Sequence, residues 1–270
     1  MSQMLYGVAN SFCWAELFTQ EKSTSKEFYK KLFGWNYTES PISAGGATYT
    51  HAMLEQGGVA GLMEIDDEMR QHGVVPYWNS YIAVKNLDET LHKAIENGAT
   101  PVLPAVDVPN AGRMAMIKDP TGAHLSLWQS HGNNKPAPND CHGMVGWNEL
   151  LTHDVQRAQE FYTTVFGWDA LKETMNDKTY ISFTQKGRFV GGMMQITPDM
   201  GPIPPCWTIY FTTDNLTNSR RVAKEYGATE MSPVITLPGI GILLVIRDPE
   251  GAVFSLFEWE KKHHHHHGCC

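Results

Sequence analysis

A chain that carries one pattern twice builds one architecture twice, and the repeat within these 270 residues is plain. Trp14-Ala15-Glu16-Leu17 returns as Trp147-Asn148-Glu149-Leu150. Phe28-Tyr29 with Leu32-Phe33-Gly34-Trp35 returns as Phe161-Tyr162 with Val165-Phe166-Gly167-Trp168, each displaced by 133 positions. At slightly smaller offsets Tyr49 to Gly61 is echoed by Tyr180 to Gly192, and Trp78 by Trp207. Asp119-Pro120-Thr121-Gly122 is likewise answered by Asp248-Pro249-Glu250-Gly251. The polar Pro/Gly/Asn stretch between the copies reads as a linker. The expected organisation is a first domain over 7–130, a linker over 131–142, a second domain over 143–260 and a tail over 261–270.

Within the first copy, residues 12–18 read as a strand and 23–33 as a short helix whose apolar stripe is Phe28, Tyr29, Leu32 and Phe33. Gly34 is placed to end it. Strands are expected near 47–54, 58–65 and 78–84, a helix over 87–97, then strands near 101–107, 113–118 and 123–129. The fold class is therefore α+β, with four β-α-β-β-β units pairing into two domains with curved mixed sheets and helices outside, since one such unit cannot bury both faces of its sheet.

Composition excludes several partners. With 21 Lys and Arg against 29 Asp and Glu the net charge is −8, which repels nucleic acid and anionic membranes. The longest apolar run, Ile240 to Ile246, is far below the ~20 residues that cross a bilayer. The first residues carry no basic stretch followed by an apolar one, so a cytoplasmic home is expected. The five cysteines show no paired spacing in the body and are expected as thiols.

The tandem β-α-β-β-β units, the Phe-Tyr…Phe-Gly-Trp helix end and the Asp-Pro-x-Gly before each copy's last strand together resemble the vicinal oxygen chelate superfamily. That group includes glyoxalase I, bleomycin-resistance proteins and extradiol dioxygenases. The Trp-x-Glu-Leu first strand is most similar to its two-domain antigen and hydroxylase-like branch. The resemblance spans about Gly7 to Glu260. It implies a hollow in each curved sheet where His and Glu side chains hold a divalent ion that chelates vicinal substrate oxygens. Carried over by position, the first-strand ligand falls on Trp14 and Trp147, the second near Asn79 and Thr208, and the glutamate on Ser126 and Ser255. Indole does not ligate metals, and serine or asparagine oxygens are weak ligands for transition ions. No cofactor is therefore expected, with a divalent metal the alternative.

Strand alternation puts Trp14, Glu16 and Phe18 on the hollow side, so Glu16 and Glu149 are two equivalent inward carboxylates. Each is either a ligand-binding or general-base group, or a carboxylate hydrogen-bonded across the sheet. By the same parity Tyr49, His51, Asn79, Tyr81, His124, Ser126 and Trp128 line the first hollow, with Arg113 at its mouth offering a cation-π contact. The second hollow is expected to use Trp147, Glu149, Tyr180, Ser182, Thr208, Tyr210, Val253, Ser255 and Phe257. Glu16, His51 and His124 are the candidate catalytic groups. Trp14, Tyr49, Asn79, Tyr81, Arg113, Ser126, Trp128, Trp147, Glu149 and Tyr210 are the candidate ligand contacts. The tail, with His263, His264, His265, His266 and His267 before Gly268-Cys269-Cys270, reads as a tag or a native metal-scavenging segment.

The expected partner is a small organic molecule, aromatic or conjugated, bound without the superfamily metal by a monomer or homodimer. The alternatives are a metal-dependent lyase or dioxygenase with atypical ligands, and a binding or sequestration protein without turnover.

Overall fold

The computed structural model describes residues 4–42, 47–139 and 141–261. The first copy forms an eight-stranded mixed sheet from β1 (Phe12–Thr19), β2 (Asn36–Pro41), β3 (Thr48–Leu54), β4 (Gly57–Glu64), β5 (Tyr77–Ala83), β6 (Thr100–Val108), β7 (Gly112–Lys118) and β8 (His124–Ser130). Its order is β2-β3-β4-β1-β5-β8-β7-β6, so the two first strands, β1 and β5, lie antiparallel at the centre. Helices α1 (Lys22–Phe33), α2 (Asp67–Gln71) and α3 (Leu87–Glu96) accompany it. The second copy repeats the order with β9 (Val145–Thr152), α4 (Val155–Phe166), β10 (Asp169–Met175), β11 (Lys178–Gln185), β12 (Arg188–Gln195), β13 (Cys206–Thr212), α5 (Leu216–Glu225), β14 (Thr229–Glu230), β15 (Ile235–Leu237), β16 (Gly241–Arg247) and β17 (Val253–Trp259). The α+β class with two curved mixed sheets is as expected.

Strand β2 is absent from the sequence reading. Its residues, Asn36-Tyr37-Thr38-Glu39-Ser40-Pro41, form an outer, largely exposed edge and so lack the apolar alternation that marks a buried strand. The segment expected near 78–84 is the first strand of the second unit rather than the last of the first.

The face of each sheet opposite its hollow is buried against the other copy. Phe12 meets Trp207 edge-on at 4.9 Å, and Trp78 meets Phe211 at 5.0 Å. The repeated motifs supply the join. Each Asp-Pro-x-Gly aspartate uses Oδ1 to accept backbone N–H groups of its own turn, Thr121 and Ala123 for Asp119 and Glu250, Gly251 and Ala252 for Asp248. The other oxygen accepts a tyrosine hydroxyl from the opposite copy. Trp35 Nε1 donates to the Gly143 carbonyl at 2.9 Å, and Trp168 Nε1 to that of Asn10 at 2.7 Å. Gly34 and Gly167, with φ of 76° and 71°, make the left-handed turns that swing these indoles off their helices.

Cys13 and Cys206 are free, and burial pushes their thiols up to about 12 and about 11, which keeps them protonated. Cys141 is disulfide-bonded, which corrects the expectation of thiols throughout. The tail histidines fall outside the described residues. Among the described residues no helix is long and apolar enough to cross a membrane.

Candidate functional site

Glu16 sits in the middle of β1, beside Gly61 of the parallel strand β4 and Asn79 of the antiparallel strand β5. Only 4% of it is exposed. Its Oε2 accepts the Tyr49 hydroxyl at 2.7 Å and its Oε1 the Tyr81 hydroxyl at 2.9 Å. Trp14 Nε1 in turn donates to the Tyr49 oxygen at 2.8 Å, so indole, phenol and carboxylate form a chain. Tyr49 reaches Glu16 by crossing over Gly61. A Cβ at position 61 would lie 1.7 Å from the Tyr49 oxygen, so only glycine leaves the path open.

The same cluster is built again in the second copy. Glu149 accepts from Tyr180 at 2.8 Å and Tyr210 at 2.9 Å, Trp147 donates to Tyr180 at 2.8 Å, and Gly192 lies under the crossing phenol. Burial raises the pKa of both carboxyls, while the tyrosine hydrogen bonds pull the other way. Of the two roles expected for these carboxylates, the cross-sheet hydrogen bond is the one the geometry displays. Each oxygen keeps a further lone pair with which to accept a ligand hydroxyl.

Around Glu16 the first hollow is walled by aromatic rings. His51 stands edge-on to Tyr49 at 4.9 Å and tilted to Trp14 at 6.2 Å. Desolvation lowers the His51 pKa, with Glu39 opposing, so the ring is neutral near pH 7. Asn79 Nδ2 donates to Ser126 Oγ at 2.9 Å, and Trp128 lies two residues further along β8 on the same face. Trp14, Tyr49, His51 and Trp128 are all half-buried. At the far end Phe18 stacks on Tyr77 at 5.3 Å, a pair that the parity of Tyr77 with Asn79 and Tyr81 already places on this face.

Two expectations are corrected by strand geometry. Arg113 pairs in register with Gln129, and Gln129 Oε1 accepts the N–H of Leu87 at the start of α3. That is the helix-covered face. Arg113 accordingly donates to Asp88 at 2.9 and 3.0 Å and to Asp107 at 3.1 Å. Its neighbour Met114, paired with Trp128, is the one that faces the hollow. His124 opens β8 in register with Lys118 and is exposed, which puts it on the rim, two strands from Glu16, rather than beside it. Partial desolvation and Lys118 lower its pKa.

At the positions where the superfamily holds its metal, the side chains are already engaged with one another. Trp14 is committed to Tyr49 and Asn79 to Ser126, and both Glu16 oxygens hold phenols. Among the described residues no three His, Cys, Asp or Glu groups converge on a point that could hold an ion.

Comparison with known proteins gives the same architecture from outside the chain. The model described as Glyoxalase/Bleomycin resistance protein/Dioxygenase superfamily matches residues 12–127, and that described as Bleomycin resistance protein-like N-terminal matches 145–183. The putative glyoxylase CFP32 of Mycobacterium bovis is 34% identical over 246 residues, covering 91% of this chain and 93% of that protein. The anthracycline biosynthesis protein DnrV of Streptomyces peucetius is 28% identical over 269 residues, covering 94% and 95%. Among solved structures the 2,3-dioxygenase LapB from Pseudomonas sp. superposes with a TM-score of 0.62 at 13% identity, covering 95% of this chain and 93% of that one. The Mn(II)-bound glyoxalase from Novosphingobium aromaticivorans gives 0.61 at 13%, covering 93% and 82%. At such identities the structural likeness speaks for the fold alone.

Proposed function

Because the chain belongs to the glyoxalase/bleomycin resistance/dioxygenase superfamily, its sheet hollows are where a ligand is sought, and we propose that the first hollow binds a small planar aromatic molecule without the superfamily metal. The observation that carries this reading is the half-buried aromatic wall of Trp14, Tyr49, His51 and Trp128 around a buried carboxylate. Such a wall gains by stacking on and edge contact with a flat π-system, on the order of 0.5–1.5 kcal/mol per ring pair beyond area burial. Glu16 supplies the polar anchor, and a phenolic or enolic hydroxyl is the group that matches it.

Glu16 is also the group that would hold a proton taken from the ligand, with the neutral His51 ring, edge-on to Tyr49, as a second acceptor. The relative named for anthracycline biosynthesis is in keeping with a flat, hydroxylated, polycyclic ligand. The metal-free part of the proposal is supported by the lack, among the described residues, of three His, Cys, Asp or Glu groups converging on one point, and by the engagement of Trp14, Glu16 and Asn79 with neighbouring side chains.

The test is a titration of the full chain with 1,4-dihydroxyanthraquinone followed by tryptophan fluorescence and calorimetry. Saturable quenching in the micromolar range, weakened by Trp14→Ala and by Glu16→Gln, is the expected result. Absence of saturable binding by this probe and by smaller catechols would refute the proposal.

A further inference from the structure

Building on that reading, we infer that only the first hollow admits a ligand, and that Gly58 and Ser130 are the residues that keep it open. The repeat makes the comparison internal. With Tyr49 matched to Tyr180 and Gly61 to Gly192, position 58 corresponds to Phe189, and the bulge ahead of it recurs in both β3–β4 and β11–β12. Along the last strands Trp128 corresponds to Phe257 and Ser130 to Trp259. The second copy thus carries two large aromatic rings where the first has a glycine and a serine.

These rings close the second hollow. Phe189 lies edge-on to Trp147 at 5.9 Å, and its carbonyl is held by the Leu5 N–H at 2.7 Å. Trp259 packs edge-on to Phe257 at 4.7 Å, and Phe257 tilts against Tyr210 at 6.1 Å. Trp147 is left 2% exposed, Phe257 2%, Tyr180 6% and Ser182 1%, whereas their counterparts Trp14, Trp128, Tyr49 and His51 are half-buried. Ser182 Oγ, standing where His51 stands in the first copy, is buried without a hydrogen-bond partner. A cavity of about 470 Å³ adjoins Trp259, but Leu237, Pro238 and Ile242 line it, and neither Glu149 nor Trp147 does.

The two hollows therefore share one carboxylate cluster and differ in access. In the second the cluster is a packed core element. In the first, Glu16 is as deeply buried as Glu149, at 4% against 6%, but the wall in front of it, Trp14, Tyr49, His51 and Trp128 beside Gly58, is partly exposed. A Cβ at position 58 would meet Trp14 at 3.4 Å, ordinary contact, and Gly58 is not among the positive-φ glycines, so a phenylalanine there is tolerated by the backbone and extends over the Trp14 ring.

The experiment is hydroxyl-radical footprinting of the full chain read by mass spectrometry, alongside the dihydroxyanthraquinone titration. Trp14 is expected to be oxidised several-fold faster than Trp147, with one probe bound per chain. Gly58→Phe, with Ser130→Trp as an independent second plug, should slow oxidation of Trp14 and abolish probe binding. Phe189→Ala should expose Trp147. Equal oxidation of Trp14 and Trp147 in the parent, or Trp14 oxidation unchanged in a folded Gly58→Phe variant, would overturn the inference. A preserved footprinting contrast without probe binding would instead count against the aromatic-ligand reading while supporting the difference in access.

Discussion

Tyr29 of the first copy donates its hydroxyl proton to Asp248 of the second at 2.7 Å, and Tyr162 returns the bond to Asp119 at 2.6 Å. Each phenol also receives an indole N–H from its own copy, Trp78 to Tyr29 at 3.1 Å and Trp207 to Tyr162 at 2.8 Å. Both aspartates are nearly inaccessible, 2% and 3% exposed, so the oxygen facing each phenol has no other polar partner to fall back on. Tyr29→Phe is expected to destabilise by about 1–3 kcal/mol, the cost of a buried acceptor left unpaired. Thermal unfolding should show a loss of several degrees, and Tyr162→Phe should match it. A loss within experimental error for both would mean that these bonds do not hold the copies together.

Gly61→Ala puts a methyl into the path of Tyr49. The phenol must swing away, and Glu16 loses a donor while the Trp14 indole loses its acceptor. Strain and the unmet carboxylate together should cost about 2–5 kcal/mol in denaturant unfolding. Gly192→Ala should do the same through Tyr180. Wild-type stability in either variant would show that the tyrosines cross the sheet elsewhere.

The stability contributed at Glu16 is expected to depend on pH in a defined direction. Its pKa is raised in the folded chain, chiefly by desolvation. The folded state therefore holds the proton more tightly than the unfolded state, whose glutamates titrate near ~4.3. This contribution is fully present below that value and is lost as pH rises through the folded pKa. The stability of the parent relative to Glu16→Gln should fall from pH 4 toward neutrality and then level off. A difference that grows with pH would contradict it.

Metal content is expected to be substoichiometric in a chain truncated after Lys261, which lacks the histidine tail, and chelator treatment should leave probe binding unchanged. Elemental analysis that finds one divalent ion per truncated chain, released by Glu16→Gln, would restore a metal centre to the hollow.

Much of this is legible in the sequence because repeats expose parity. The offset of 133 aligns Trp14 with Trp147 and Glu16 with Glu149, and alternation then places Tyr49, Asn79, Tyr81 and Ser126 on the same face as Glu16. Arg113 escapes that reasoning because a place at a strand start near the mouth does not fix the face, which is set by its register with Gln129. Strand β2 escaped because an exposed edge needs no apolar alternation. The cross-copy role of Phe-Tyr and Asp-Pro-x-Gly is invisible in either motif alone, since their partners lie 219 and 43 residues away along the chain. Gly58 against Phe189 and Ser130 against Trp259 were in plain view at matched positions. Only the packing shows that the aromatic wall beside these pairs is partly exposed in the first copy and buried in the second.

The most direct measurement is a titration of the ¹⁵N-labelled chain with 1,4-dihydroxyanthraquinone, read at the indole N–H signals assigned by single Trp→Phe variants. The Trp14 indole, hydrogen-bonded to Tyr49 on the wall of the first hollow, should shift saturably together with Trp128, while Trp147 stays in place. A shift of Trp147 in step with Trp14, or no shift at either indole at saturating probe, would contradict a single open aromatic hollow.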